Sequence, residues 1–236
     1  MSEEIRLAKR LMQLQQCSRA EAENYIRSGY VRVDGQVVLL PQHRVTDQQI
    51  ELAKDAVAER PKPATLLCHL PAGANLDAFI QQLNASSRWA QDPAELRCLS
   101  SHFHALQQPL PLAEGMSGLL VLSQDPACLR RLRFDAVKLE QEFAVTVQGK
   151  LAENGLRRLN QPLNYQAQGF RPCKVSWLNE TTLRFAVKHP KPEQILAMCQ
   201  SQGLVVEQIK RLRIGAQSLA KVPAGQWRYL PAGARF

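Results

Sequence analysis

Between Ala53 and Ala64 the chain reads AKDAVAERPKPA, a polar, charged stretch with two prolines that reads as a linker. It splits the 236 residues into a short N-terminal part and a long C-terminal part, so two unequal domains are expected. The boundaries it sets are residues 1–55 for the small domain, 56–64 for the linker and 65–236 for the large domain. With 45% apolar and 22% charged residues the chain is not a mostly disordered one. No run approaches the roughly 18 uninterrupted apolar residues of a spanning helix. The opening MSEEIRLAKR also lacks the apolar stretch of a secretory signal, so a cytoplasmic protein without a membrane partner is expected.

Lysine and arginine total 30 against 21 acidic residues, a formal net charge of +9. A basic balance of this kind favours polyanionic partners, nucleic acid ahead of membrane because no long basic amphipathic helix stands out. The excess is unevenly placed. Residues 61–137 hold six basic and six acidic residues, whereas residues 138–236 hold fifteen and six. From Arg6 to Arg44 there are seven basic and three acidic residues, so two positive regions flank a neutral middle. The six cysteines are Cys17, Cys68, Cys98, Cys128, Cys173 and Cys199, no two closer than 26 residues, which excludes a C-x-x-C metal pattern and argues for buried thiols. No metal site and no organic cofactor is expected.

The N-terminal part carries sharp local signals. Ile5, Ala8, Leu11 and Met12 recur at helical spacing while Arg6, Lys9, Arg10 and Gln13 recur on another side. Ser18-Arg19-Ala20-Glu21 is a capping box that opens a second helix, and Gly29 supplies its stop. Tyr30–Val33 alternates with period two, Asp34-Gly35 is a tight-turn pair, and Gln36–Leu40 returns, predicting a hairpin. This order of elements, carried by SRAEAENYIRSGYVRVDGQVV, resembles the S4 RNA-binding domain, or alpha-L motif, over about residues 5–52. The resemblance implies a platform that grips structured RNA, with Arg6, Lys9, Arg10, Arg19, Arg27 and Arg32 on phosphates, fixing orientation without reading sequence.

In the long part, Leu66–Gly73 is an apolar run ending in a turn, and Ser117–Leu122 (SGLLVL) is an apolar run of strand length. Ser123-Gln124-Asp125-Pro126 then signals a helix containing Arg130, Arg131 and Arg133. Glu142–Gly149 predicts a half-buried strand with Phe143, Val145 and Val147 on one side; Leu183–Val187 predicts another, and Pro192–Gln202 a helix. Strands outnumber helices, which makes the domain α+β. The anchors HLPAG (69–73), SGLLVL, the Phe143–Gly149 strand, IKRLRIGAQSL (209–219) and the closing GQWRYL (225–230) together resemble the RNA pseudouridine synthases in the branch that joins an S4 domain to a synthase domain. The resemblance covers nearly the whole chain and implies a mixed, mainly antiparallel sheet.

Members of that family flip a uridine out of its helix, detach the base and rejoin it through carbon. The resemblance assigns an aspartate in G-R-L-D, a tyrosine that stacks on the base, and an arginine in R-Q-V-R-R-M that keeps the aspartate ionised. Counting back without gaps from Ser117, the aspartate position falls on Ala113; the tyrosine falls on Phe143, a ring without a hydroxyl; the arginine falls on Leu196. A one-residue shift would bring Glu114 to the acid position, at the cost of a compensating deletion and without its arginine. His69, His102, His104 and His189 have no recognisable catalytic partner in the sequence. Glu193 and Ala197 replace basic residues of the same helix, which implies a cleft that binds RNA poorly.

The expectation is an RNA-binding member of the pseudouridine synthase family without catalysis, an isomerase only if Glu114 or another group replaces the aspartate; a protein-interaction scaffold is the third reading. Structured RNA, ribosomal RNA first, is the expected partner, together with ribosome-assembly or other proteins, and a monomer is expected. Lys210, Arg211 and Arg213 complete the expected RNA contacts.

Overall fold

The computed structural model describes residues 4–165, 168–170, 172–188, 190 and 193–236. Two compact units are distinguished: the first runs up to Ala64 and regains Asn84–Ser86 and Leu96–Leu106, and the second comprises Thr65–Leu83, Ser87–Glu95 and Gln107–Phe236.

The first unit begins with β1 (Ile5–Arg6), α1 (Leu7–Gln15) and α2 (Arg19–Ser28). It continues through β2 (Val31–Val33), β3 (Gln36–Val37), β4 (Arg44–Val45) and β5 (Ile50–Leu52). The capping box closes in both directions: the Glu21 amide donates to Ser18 Oγ at 3.3 Å, and the Ser18 amide donates to Glu21 Oε2 at 2.8 Å. Gly29 ends α2 with φ 80°, and Asp34 and Gly35, at φ 48° and 77°, form the primed turn between β2 and β3. Leu7 and Leu11 on α1 and Ala22 and Ile26 on α2 are four residues apart and fully buried, so the two helices meet along one stripe closed below by Val31, Val33 and Val45. The first helix starts two residues later than its apolar spacing predicts, because Ile5 and Arg6 pair with Val45 and Arg44. Residues 53–64 form neither helix nor strand, yet Asn24 and Ser28 of α2 donate to the carbonyls of Ala58 and Glu59.

The second unit starts with β6 (Thr65–Leu70), α3 (Leu76–Gln82), β7 (Ser117–Ser123), α4 (Pro126–Phe134) and β8 (Glu140–Gln148). Then come α5 (Gly155–Leu159), β9 (Leu163–Tyr165), β10 (Gln168–Phe170), β11 (Lys174–Trp177) and β12 (Thr182–Lys188). It ends with α6 (Gln194–Gln200), β13 (Val205–Ile214), β14 (Gln217–Ser218) and β15 (Trp227–Tyr229). Among the described residues its sheet has eight strands in the order β11-β12-β8-β13-β7-β6-β15, with β14 paired to β13. Every pairing is antiparallel except β13 with β7. The α+β class and the mainly antiparallel sheet are therefore as the sequence predicts. The helix predicted over 192–202 is α6; Pro192 and His189 lie outside the described residues.

The alternation of β8 places Phe143, Val145 and Val147 in a core with Leu183, Phe185 and Val187 of β12 and Ile195, Met198 and Cys199 of α6. The parallel pair has a strict requirement at Gly118. Its φ is 97°, and a Cβ there would lie 2.3 Å from the Arg211 carbonyl oxygen and 2.8 Å from its amide nitrogen. Only glycine lets β7 and β13 approach at this point.

Candidate functional site

In the first unit, α1 and α2 border a concavity of about 440 Å³. Arg6, Lys9, Arg19 and Arg27, four of the six candidate cations, line it with Met12 and Gln42. Arg10 and Arg32 do not line it; Arg32 donates to the Gly35 carbonyl of its own hairpin at 2.8 Å. Glu23, which the sequence reading passed over, joins Arg19 at 2.9 Å and Arg27 at 2.8 Å. Its carboxyl is held below the usual carboxylate range by Arg19, with Arg27 adding to the effect. The i, i+4 spacing of Arg19, Glu23 and Arg27 is the signal for this arrangement. The carboxylate fixes two guanidinium groups side by side and leaves the concavity with four cations against one anion. That surface suits a phosphate backbone.

In the second unit, the segment before β7 makes a tight turn, the Met116 amide donating to the Ala113 carbonyl at 3.1 Å. This turn, the start of α6 and the outer half of β13 enclose a groove of about 420 Å³. Ala113, Glu114 and Met116 come from the turn, Glu193 and Leu196 from α6, and Val206, Glu207, Gln208 and Ile209 from β13. Ala113 and Leu196, separated by more than eighty residues in sequence, thus share one groove, and Glu114 shares it with them. No cation stands among the lining residues, and among the described residues Glu114 makes no ion pair. A phosphate about 8 Å from one of these carboxylates meets a repulsion of roughly 0.5 kcal/mol in water, before salt screening.

Phe143 is 2% exposed and belongs to the core between β8 and β12, as the alternation of its strand predicts. One expectation needs correction here: Arg211 is not a surface contact. It is 2% exposed, and its guanidinium donates to Leu119 O at 2.8 Å, Leu110 O at 3.0 Å, and Pro111 O and Gln141 Oε1 at 3.3 Å each. Burial pushes its pKa down to about 9. Strand alternation explains the placement, since Arg211 falls on the side of Ile209 and points inward. What it does there is strap the segment carrying Ala113 to the sheet.

Arg213 is partly removed from solvent for a different reason. After the irregularity that shifts the register between Arg211 and Arg213, it faces Glu142. Its guanidinium donates to Glu142 at 2.9 Å and Glu140 at 2.6 Å, while Arg184 grips Glu142 from the other side at 2.6 Å and 2.9 Å. Glu142 is accordingly held below the usual carboxylate range, by Arg184 first and Arg213 second. Of the three C-terminal candidates, only Lys210 keeps a partly exposed position without such a network. His69 is buried with Nδ1 2.7 Å from the Val222 carbonyl, and burial lowers its pKa; burial pushes His102 down to about 4. Among the described residues no group of three His, Cys, Asp or Glu side chains is placed to hold a metal ion, and no helix is long and apolar enough to cross a membrane.

A small helical module with a basic concavity, followed by an α+β unit on a mixed sheet, defines the class: an S4 domain joined to a pseudouridylate-synthase fold. Residues 5–50 match the family model described as S4 domain. An uncharacterized RNA pseudouridine synthase of Aquifex aeolicus (strain VF5) is 25% identical over 230 residues, 96% of this chain and 92% of the relative. The dual-specificity RNA pseudouridine synthase RluF of Escherichia coli (strain K12) is 25% identical over 96% of this chain and 75% of its own length. The ribosomal large subunit pseudouridine synthase B of Bacillus subtilis (strain 168) is 24% identical over 95% of this chain and 91% of its own. A crystal structure of a pseudouridylate synthase shares the fold with a TM-score of 0.59 at 18% identity, covering 96% of both chains. Over nearly its whole length the chain is similar to RNA pseudouridine synthases, and residues 5–50 at its N-terminal end are an RNA-binding S4 domain.

Proposed function

We propose that this protein binds structured RNA, ribosomal RNA first, through the basic concavity of its S4 domain, and that its second unit has lost uridine isomerisation. The observation that carries the reading is the lining of the groove, where Ala113 and Leu196 stand at the positions that the family resemblance gives to the acid and its arginine. A methyl group and an isobutyl group can neither attack a sugar or base nor hold a carboxylate ionised. The ribosomal target is supported by the relative named for the ribosomal large subunit.

Ribosomal RNA carrying tritiated uridine, incubated with the protein, tests the catalytic half directly. The expected result is no pseudouridine above the protein-free control. The second reading places the chemistry on Glu114, because that carboxylate does line the groove. Turnover by the unaltered protein that disappears in Glu114→Gln would overturn the loss of catalysis.

A further inference from the structure

The groove differs in sign from the chain that contains it. In a protein of net charge +9, its lining among the described residues holds Glu114, Glu193 and Glu207 and no lysine, arginine or histidine. Around these carboxylates the surface is apolar: Met116, Val206 and Ile209 line the groove, and Leu196 is 38% exposed there. A nucleotide would bring phosphates to carboxylates, whereas a neutral apolar ligand would use only the apolar part of the lining. The chemistry that satisfies both parts is a cationic head on an aliphatic stem, which places its charge at the carboxylates and its methylenes over the apolar surface.

We propose that the groove is a docking site for a basic segment of a partner protein, an arginine or lysine entering among Glu114, Glu193 and Glu207 while aliphatic side chains on either side of it cover Leu196 and Val206. The choice of occupant rests on charge complementarity within an apolar groove, and it builds on the reading that this groove no longer handles uridine. The net positive charge of the whole chain opposes a basic peptide at long range, so binding of one reports on this groove and not on general attraction.

The test uses the full-length protein and a fluorescein-labelled peptide of alternating leucine and arginine, with a leucine–glutamate peptide as control, read by fluorescence anisotropy at low and high salt. The expected result is saturable binding of the arginine peptide alone, weakened by salt. It weakens at least tenfold in the triple variant Glu114→Gln/Glu193→Gln/Glu207→Gln. Leu196→Lys, which places a cation in the groove, is expected to weaken it to a similar degree while leaving affinity for an RNA hairpin within twofold. Absence of peptide binding, or an affinity in both variants equal to that of the unaltered protein, overturns the proposal. So does an RNA hairpin that displaces the peptide from a variant whose groove is intact but whose S4 cations Arg6, Lys9 and Arg27 are replaced by alanine, because the groove is then an RNA site. Pseudouridine formation alongside intact, groove-dependent peptide binding would sink only the loss of catalysis; no turnover and no peptide binding would sink only the docking site.

Discussion

Replacing Arg211 separates two explanations of a buried guanidinium. If its charge matters, Arg211→Lys should preserve stability; if its fan of donors matters, lysine should do no better than the uncharged Arg211→Met. The two short bonds, to Leu119 O and Leu110 O at 2.8 and 3.0 Å, join a charged donor to a carbonyl. Bonds of that kind are worth ~1.5–3 kcal/mol each. The two at 3.3 Å, to Pro111 O and Gln141 Oε1, are longer. They add ~0.5–1 kcal/mol each, for a gross loss of ~4–8 kcal/mol. Against this, methionine relieves the cost of keeping the cation dry. A pKa of about 9 in place of 12.5 puts that cost at ~4–5 kcal/mol. The net for Arg211→Met is a loss of ~2 kcal/mol, or ~4–8 °C in melting temperature for a unit of this size. Arg211→Lys keeps a buried charge, reaches fewer of the four acceptors and should lose ~3–4 kcal/mol. Urea denaturation gives both numbers, and hydrogen exchange followed by mass spectrometry locates the effect. Protection of the Met116 amide, whose acceptor Ala113 sits on the strapped segment, should fall in both variants. Full stability in Arg211→Lys, or unchanged exchange across 110–116 in both, would refute the reasoning.

Three further outcomes are expected. Gly118→Ala forces a Cβ to within 2.3 Å of the Arg211 backbone and should cost more than ~4 kcal/mol, seen as insoluble protein or a low urea midpoint, whereas Gly35→Ala, with nothing within 4 Å, should cost only ~1 kcal/mol for its positive φ. Glu142→Gln should lose ~1 kcal/mol at pH 7, where the carboxylate is ionised between Arg184 and Arg213. Because the folded pKa lies below the ordinary 4.5, this contribution is present above that value and lost as the pH falls through the folded pKa, so the two proteins should converge in denaturation curves taken at progressively more acidic pH below 4.5. Lys9→Ala combined with Arg27→Ala should weaken RNA-hairpin binding and lower the slope of log affinity against log salt by about 2; an unchanged slope places the RNA elsewhere.

Local chemistry in this chain was legible wherever it needed only neighbours in sequence. The Ser18–Glu21 box, the Gly29 stop, the Asp34-Gly35 turn and the alternation of β8 all form as read, because each is decided within a few residues. What escaped depends on distant partners. The return of residues 96–106 to the first unit has no local sign; Arg97 finds Asp55 at 2.6 Å and lies over the Tyr30 ring. Arg211 read as a surface cation because charge was counted along the chain, although the alternation Ile209, Arg211 already held the warning. In the groove, Ala113 and Leu196 could be named only through the family resemblance, and the Glu207 wall of β13 was not named at all.

The one parallel pairing among the described strands, that of β13 with β7, has a consequence for how the protein comes into being. It bridges a ribbon of β15, β6 and β7 on one side and a ribbon of β13, β8, β12 and β11 on the other. Strand β6 emerges from the translating ribosome early, yet its flank opposite β7 stays bare until Trp227–Tyr229 has been synthesised. The helices and hairpin of the N-terminal unit need no such late arrival for their own pairings, apart from the two short returns of chain near residues 85 and 100. The nascent chain therefore gains the part that holds nucleic acid while the rest is still an open, sticky sheet, and its first engagement with RNA can precede its own completion.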